Sequence, residues 1–158
     1  MGGSLGARTI NEAIGSNLEK FVENKIQLIW QTGRNYFVEA KLQAEKYKNK
    51  GIVVIEFISS MNLAYAASDF VVSRAGASSI SELCYLKKPT ILIPSPNVTG
   101  DHQTKNAQAL VNKNAVIIVK DVEAQENLVK TIIELVDSEY KQKQLKENMK
   151  LFLAWTEE

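Results

Sequence analysis

The sequence predicts an α/β fold with a parallel sheet that is covered by helices on both faces. Strand-like and helix-like segments alternate along almost the whole chain. The strand-like segments are continuous apolar runs, which are typical of parallel strands buried on both faces. No repeat, low-complexity tract or internal boundary interrupts the 158 residues. We therefore expect one domain whose strands are joined by right-handed crossovers.

The expected elements follow in chain order. A first amphipathic helix comes directly after residues 2–7 and places five apolar residues on one face: Ile10, Ala13, Ile14, Leu18 and Phe21. The expected strands are residues 26–31, 52–57, 70–72, 89–93 and 115–119. The remaining expected helices are residues 36–47 and 61–67, one that opens at about Ser79, and residues 102–111, 122–136 and 139–153.

Composition excludes several classes of protein. A net charge of +1 gives no reason to expect nucleic-acid binding through bulk electrostatics. The single cysteine, Cys84, excludes an internal disulfide, and its apolar helical setting favours a core residue over a nucleophile. The chain has no metal-ligand spacing, secretory signal or membrane-spanning apolar run. These features predict a cytoplasmic protein without a bound metal or cofactor.

Residues 70–83 (FVVSRAGASSISEL) show the clearest signal of a site. They predict a buried strand, a turn of small residues and a helix start, where backbone N–H groups and the helix dipole favour an anion. Glu82 lies one turn into that helix. Its carboxylate would repel a phosphate, but it suits a neutral diol such as that of a ribose. The alternative is a capping box, in which Ser78 or Ser79 caps the helix and Glu82 bonds back to the backbone.

Five loops belong to the same edge of the expected sheet. Ligands of open α/β sheets bind beyond the carboxyl ends of the strands, where these loops lie. The loops offer backbone amides and hydroxyls for a diphosphate, a carboxylate for a diol and amide side chains for further hydroxyls, which suits a nucleotide sugar. They contain Gly3 and Ser4, Thr32 and Gly33, and residues 57–58, 74–79 and 94–103.

Several side chains in these loops have two possible roles. Gln103 and Asn106 share one face of the helix that follows Asp101, and they either bind vicinal sugar hydroxyls or are ordinary helix-start polarity capped by Asp101. His102 is either a ligand contact or a surface residue. Arg74 either steers a phosphate or pairs with an acidic neighbour.

Residues 2–7 (GGSLGA) form a glycine-rich loop directly before the first helix, an arrangement that favours an anion-binding turn. The composition is equally that of a flexible linker. Such loops normally follow a buried strand, and only Met1 precedes this one. We therefore expect that residues 1–158 are a single domain taken from a longer protein and lacking its leading strand.

Five segments together resemble a known family. They are GGSLGA, WQTG, EFISSMNLAYAASDFVVSRAGASSISEL, KPTILIPSP and DHQTKNAQAL, at residues 2–7, 30–33, 56–83, 88–96 and 101–110. In this order they resemble the carboxy-terminal half of the MurG family of bacterial N-acetylglucosaminyltransferases. The resemblance implies a Rossmann-like domain that is one half of a GT-B glycosyltransferase fold, and that binds UDP-N-acetylglucosamine.

The resemblance also implies where the donor would be bound. The phosphates and the sugar would meet hydroxyls and backbone groups of five residues, namely Gly3, Ser4, Ala77, Ser78 and Ser79. The uracil edge would contact the backbone of Ile58, with Met61 close by, and Arg74 would flank the nucleotide. The ribose hydroxyls would bind Glu82. N-acetylglucosamine would bind Gln103 and its neighbours His102 and Asn106.

The implied reaction is inverting transfer of N-acetylglucosamine to the C4 hydroxyl of an undecaprenyl-linked muramyl-pentapeptide, a step of peptidoglycan synthesis. The family's amino-terminal domain supplies the acceptor site, much of the membrane-facing surface and the general base. That domain is absent here, so no catalytic residue is assigned and the isolated chain is expected to be inactive. The full enzyme is expected on the inner face of the cell membrane as a peripheral protein.

Two other functions fit the same sequence. One is a stand-alone donor-binding subunit of a two-chain N-acetylglucosaminyltransferase, and the other is a non-catalytic nucleotide-binding module. A nicotinamide enzyme fits less well, because the glycine loop is not GxGxxG and no acidic residue ends the strand at residues 26–31.

Overall fold

A computed structural model describes residues 7–96 and 102–156 of the chain. The strands in these residues are β1 Leu28–Gln31, β2 Ile52–Ile55, β3 Val71–Ser73, β4 Thr90–Leu92 and β5 Ile117–Ile118. The helices are α1 Arg8–Gly15, α2 Leu18–Glu23, α3 Arg34–Ala44, α4 Met61–Ala67, α5 Ala77–Leu86, α6 His102–Asn112, α7 Ala124–Val136 and α8 Glu139–Thr156. Short 3₁₀ turns cover Glu45–Tyr47 and Asp121–Glu123. The predicted alternation of strands and helices is confirmed.

Every strand pairing in the described residues is parallel. β1 pairs with β2, and β3, β4 and β5 pair in that order, so the strands form two hydrogen-bonded groups. A cavity of about 430 Å³ lies between β1 and β3, lined in part by Leu28, Trp30, Phe70 and Val72. The exposed fraction of the Ile29 side chain in β1 is 41%, whereas Ile91 in β4 is fully buried. Strand β4, in the three-stranded group, is therefore more tightly covered than β1 in the two-stranded group.

Helices cover both faces of β4, as the continuous apolar strands predict. Ile91 and Ile93 pack into a core with α1, α2, α3 and α7, whereas Leu92 packs into a second core with α5, α6 and α8. Successive strand residues point to opposite faces, so this division places helices on each side. Cys84 lies in the second core, as predicted, and burial raises the pKa of its thiol.

The predicted first helix is wrong in one respect, because the structure divides it into α1 and α2. The Ser16 hydroxyl and the Asn17 amide bond the carbonyls of Glu12 and Ala13 four residues earlier. Such bonds compete with the backbone ladder, and Gly15 favours the break because glycine is a poor helix former. All five apolar residues of the predicted face are nevertheless buried.

None of the helices in residues 7–96 and 102–156 is long and apolar enough to span a membrane. No group of three or more His, Cys, Asp or Glu side chains in those ranges is placed to hold a metal ion.

Candidate functional site

The carboxyl ends of the strands meet at one edge, where side chains tie the loops together. Gln103 in α6 makes the central connection. Its side-chain oxygen accepts the N–H of Ala75, after β3, at 3.2 Å, and the N–H of Ser95, after β4, at 2.8 Å. Because both donors occupy this oxygen, a ligand would meet the NH₂ group of the Gln103 amide.

Asn106 lies one turn further along α6 and reaches the same loop. Its amide nitrogen donates to the carbonyl of Ala75 at 3.4 Å, and the side chain is exposed. Gln103 and Asn106 therefore bind the two backbone groups of one residue. His102, at the start of α6, is exposed. The structure brings Gln103 and Asn106 together with the turn before α5, as their spacing predicts.

The turn before α5 presents backbone groups without a side-chain cap. Gly76 is the N-cap residue, and the first hydrogen bond of the helix runs from the N–H of Ile80 to the carbonyl of Gly76. The earlier N–H groups, of Ala77, Ser78 and Ser79, therefore precede the ladder of the helix. A Cβ atom placed on Gly76 would have no heavy atom of residues 7–96 or 102–156 within 4 Å. This open space lets a ligand approach the start of the helix.

The capping-box alternative for Glu82 is wrong. The helix begins at Ala77 and not near Ser79, which makes Glu82 its sixth residue. A capping box needs the acidic residue at the third position, within reach of the N-cap N–H. The N-cap residue is also Gly76, which has no side chain that could supply the serine half of a capping box.

Glu82 is instead held by a tyrosine of the neighbouring helix. The Tyr65 hydroxyl, on α4, donates to Oε2 of Glu82 at 3.1 Å. Tyr65 is 6% exposed and Glu82 is exposed. Burial, the hydrogen bond and the charge of Glu82 together raise the pKa of Tyr65 to about 12. The hydroxyl is therefore protonated at neutral pH and remains a donor to the carboxylate.

Arg74 pairs with an acidic neighbour, one of its two predicted roles. Its guanidinium forms a buried ion pair with Asp121, and Nη1 donates to the Ile93 carbonyl at 3.3 Å. The Thr9 hydroxyl, on α1, donates to the second oxygen of Asp121 at 3.1 Å. The Nε atom of Arg74 is buried without a hydrogen-bond partner in the described part of the chain. The network joins the ends of β3 and β5 to α1.

Ile58 follows β2 and is held by a side chain of β1. Its N–H donates to Oε1 of Gln31 at 2.9 Å. A base that reads this N–H would have to displace Gln31. Met61 begins α4 three residues later and is half-buried. The structure therefore places the residues expected at the uracil beside each other.

Not every predicted residue can be located, and some residues of this edge were not predicted. Gly3 and Ser4 lie outside the described residues. The residues missed by the sequence reasoning are Gln31, Tyr65 and Asp121, each of which bonds a predicted residue from another element. Their partners are 27, 17 and 47 positions away along the chain, so no local pattern reveals the pairing.

Residues 1–154 match the glycosyltransferase family 28 C-terminal domain. The chain belongs to this family.

Named relatives and a solved structure agree with that assignment. Proteins from Parabacteroides distasonis and Cytophaga hutchinsonii are 52% and 51% identical over 136 and 152 residues, which are 86% and 96% of this chain. Both are named UDP-N-acetylglucosamine–N-acetylmuramyl-(pentapeptide) pyrophosphoryl-undecaprenol N-acetylglucosamine transferase. The matches cover 37% and 40% of those relatives, so the chain spans about two fifths of their length.

The crystal structure of Acinetobacter baumannii MurG superimposes on 94% of the chain with a TM-score of 0.76 and 26% identity, and the match covers 42% of that protein. The predicted fold, a Rossmann-like α/β domain that forms one half of a GT-B glycosyltransferase, is thereby confirmed. The predicted resemblance to the MurG family is confirmed as well.

Proposed function

We propose that the chain is the donor-binding domain of a glycosyltransferase. It binds UDP-N-acetylglucosamine for inverting transfer of N-acetylglucosamine to undecaprenyl-pyrophosphoryl-N-acetylmuramyl-pentapeptide. The observation that carries this proposal is the identity of 50% or more to relatives named for that activity, over 86–96% of the chain.

The start of α5 suits the diphosphate of the donor. The acceptor hydroxyl attacks the anomeric carbon, the bond to the diphosphate breaks, and negative charge grows on the departing UDP. Backbone N–H groups of Ala77, Ser78 and Ser79, with the positive end of the helix dipole, would stabilise that charge. Gly3 and Ser4 are proposed to contribute at the same diphosphate.

The uncharged parts of UDP-N-acetylglucosamine would bind to side chains around the start of α5. Glu82 carries acceptor oxygens for the ribose diol, and Gln103 offers its NH₂ group to an oxygen of N-acetylglucosamine, with His102 and Asn106 nearby. The uracil would lie at Ile58 and Met61, with Arg74 behind the nucleotide. Each group lies on a packed helix or a tied loop, so the donor would be oriented before the acceptor arrives.

The rest of the reaction is proposed to belong to another domain. The relatives are more than twice as long as the matched region, and an acceptor-binding domain would supply the general base and the membrane contact. We propose that the complete enzyme works at the inner face of the cell membrane as a peripheral protein. The isolated chain would then bind donor weakly and transfer nothing.

Calorimetric titration tests the proposal. The chain should bind UDP-N-acetylglucosamine more tightly than GDP-mannose, and pretreatment with EDTA should leave the affinity unchanged. Equal affinity for the two nucleotide sugars would favour a non-catalytic nucleotide-binding module. Transfer to lipid-linked acceptor by the purified chain alone would contradict the assignment of the base to another domain. Co-purification of a separate acceptor-binding protein would favour a two-chain enzyme.

A further inference from the structure

The hydrogen bond between Tyr65 and Glu82 joins a buried, fixed hydroxyl group to an exposed carboxylate. The Tyr65 ring packs in a small core with Val71 of β3 and Leu83 of α5, and Met61 packs against this core. Its hydroxyl reaches Oε2 of Glu82 from there, at 3.1 Å. The ring therefore cannot follow the carboxylate, and the carboxylate is oriented by the ring.

The one hydrogen bond that Glu82 accepts within the described residues leaves it able to bind a diol. An ionised carboxylate has about four lone-pair positions, and Tyr65 occupies one of them. Two adjacent hydroxyls need two acceptor positions, which Oε1 and the remaining lone pair of Oε2 can supply. Tyr65 thus restricts the orientation of the Glu82 carboxylate and leaves enough lone pairs free to accept two hydroxyl groups.

We propose that Tyr65 is a positioning residue that holds Glu82 in the orientation that binds the vicinal diol of the donor's ribose. The inference rests on the proposed function and adds a residue to it. A free glutamate on a helix surface samples several rotamers. A ligand that must immobilise such a side chain as it binds loses about two- to tenfold in affinity. Tyr65 removes that loss before the ligand arrives.

Tyr65→Phe is the direct test, because it deletes the hydroxyl and keeps the ring in its core. We expect UDP-N-acetylglucosamine to bind about two- to tenfold more weakly to this variant in calorimetric titrations. The 2′,3′-dideoxy form of UDP lacks the diol, and its affinity should not change. In the Glu82→Ala background the same substitution should have no further effect on either ligand, because the side chain that it positions is gone.

Tyr36→Phe is the matched control. Tyr36 is also buried, at 8% exposure, and its hydroxyl donates to Gln43 at 3.3 Å, away from Glu82. This variant should lose a similar amount of thermal stability and keep the affinity for both ligands. A thermal melt of each variant establishes that it is folded before it is titrated.

The outcomes separate this inference from the proposed function. If the wild-type chain binds no UDP-N-acetylglucosamine, the proposed function fails and the inference fails with it. If it binds, but Tyr65→Phe retains full affinity, only the role of Tyr65 is refuted. An equal loss for the diol and dideoxy ligands, or an undiminished loss in the Glu82→Ala background, would show that Tyr65 supports the fold of α4 and α5 without orienting Glu82.

Discussion

Arg74 and Asp121 form a buried ion pair that joins the end of β3 to the turn after β5. The pair is 47 positions apart in the sequence, and Thr9 of α1 donates to the same carboxylate. The residue predicted to flank the nucleotide is thus also a structural tie between three elements. A substitution at Arg74 would mix effects on binding and folding, so Asp121 is the better residue to change.

Asp121→Ala should destabilise the fold by about 3–5 kcal/mol, because it leaves the Arg74 guanidinium buried without its counter-charge. Urea unfolding measures the loss. Glu147→Ala is the control, since it breaks an ion pair with Lys150 that is exposed on α8 and should leave the unfolding midpoint nearly unchanged. Similar midpoints for the two variants would mean that the Arg74 side chain reaches solvent.

Gln103→Ala should also reduce stability, by about 1–3 kcal/mol, because the N–H groups of Ala75 and Ser95 lose their shared acceptor. Gln103→Glu keeps an acceptor oxygen and removes the NH₂ group. It should therefore recover much of the stability but not the affinity for UDP-N-acetylglucosamine. Thermal melts and titrations measure the two effects.

The control for Gln103 lies on the same helix. Gln108 is exposed and bonds only Asn112 one turn away among the residues described, so Gln108→Ala should change neither property. If Gln103→Glu binds UDP-N-acetylglucosamine as well as the wild type does, the NH₂ group of Gln103 does not contact this ligand.

The parts of this structure that the sequence predicts are those encoded locally. The helix Met61–Ala67 has its predicted bounds, since polar residues precede it and small apolar residues fill it. The apolar runs around Ile91 predict a strand covered on both faces. The break after Gly15 was not predicted, because the apolar periodicity continues through it while Gly15 and the side-chain bonds of Ser16 and Asn17 to the backbone end α1.

The site was predicted at the level of loops and not of contacts. Parallel strands must place their carboxyl ends together, so Gln103 and residues 74–79 were expected at one edge. The partners Gln31, Tyr65 and Asp121 come from other elements, and their pairing depends on how helices pack in three dimensions. A single sequence carries no record of such distances. The capping-box alternative shows the same limit, since a shift of the helix start changes the position of Glu82 in α5.

The raised pKa of Tyr65 predicts a loss of stability in alkali. Burial and Glu82 raise it from 10.0 to about 12, so the folded state holds the proton more tightly than the unfolded state. The stabilisation is complete below pH 10 and is lost as the pH rises from 10 to about 12, where the unfolded chain gives up its proton first. Unfolding in urea across this range should show a smaller pH dependence for Tyr65→Phe than for the wild type.

The two proteins differ only in the hydroxyl of residue 65, so the difference between the two curves isolates Tyr65. Glu82→Gln should shift the absorbance titration of Tyr65 to lower pH, because the negative charge that opposes ionisation is removed. Parallel curves for the wild type and Tyr65→Phe would contradict the raised pKa.

Gly76→Ala should weaken ligand binding without changing the stability of the fold. The φ angle of Gly76 is −66°, which alanine adopts readily, and a Cβ atom would meet no atom of the described part of the chain within 4 Å. The poorer capping by alanine is offset by the lower entropy of the unfolded chain, each effect being about 0.4–1 kcal/mol. The melting temperature should therefore hardly change. Donor affinity should fall by about tenfold or more, since the methyl group occupies the space above the start of α5. Unchanged affinity would place the diphosphate elsewhere.

Glu82→Ala is the sharpest test of the proposed site. If Glu82 holds the ribose diol, the substitution should weaken binding of UDP-N-acetylglucosamine by about 1.5–3 kcal/mol, the range for a hydrogen bond to a charged group. That corresponds to about ten- to a hundredfold in affinity. Glu82→Gln should restore part of it, because the amide oxygen can still accept from Tyr65 and from a hydroxyl.

The control for this substitution is Glu134→Ala, at an exposed glutamate of α7. Removing Glu82 cannot cost the fold a cap, because Gly76 is the N-cap and Glu82 lies beyond the first turn of α5. Its contribution to stability is then limited to the bond with Tyr65, which is a hydrogen bond to a charged group and is worth at most about 1.5–3 kcal/mol. A Glu82→Ala variant that melts lower and binds donor like the wild type would show that the carboxylate serves only to join α4 to α5, and the ribose would have to be bound by another residue.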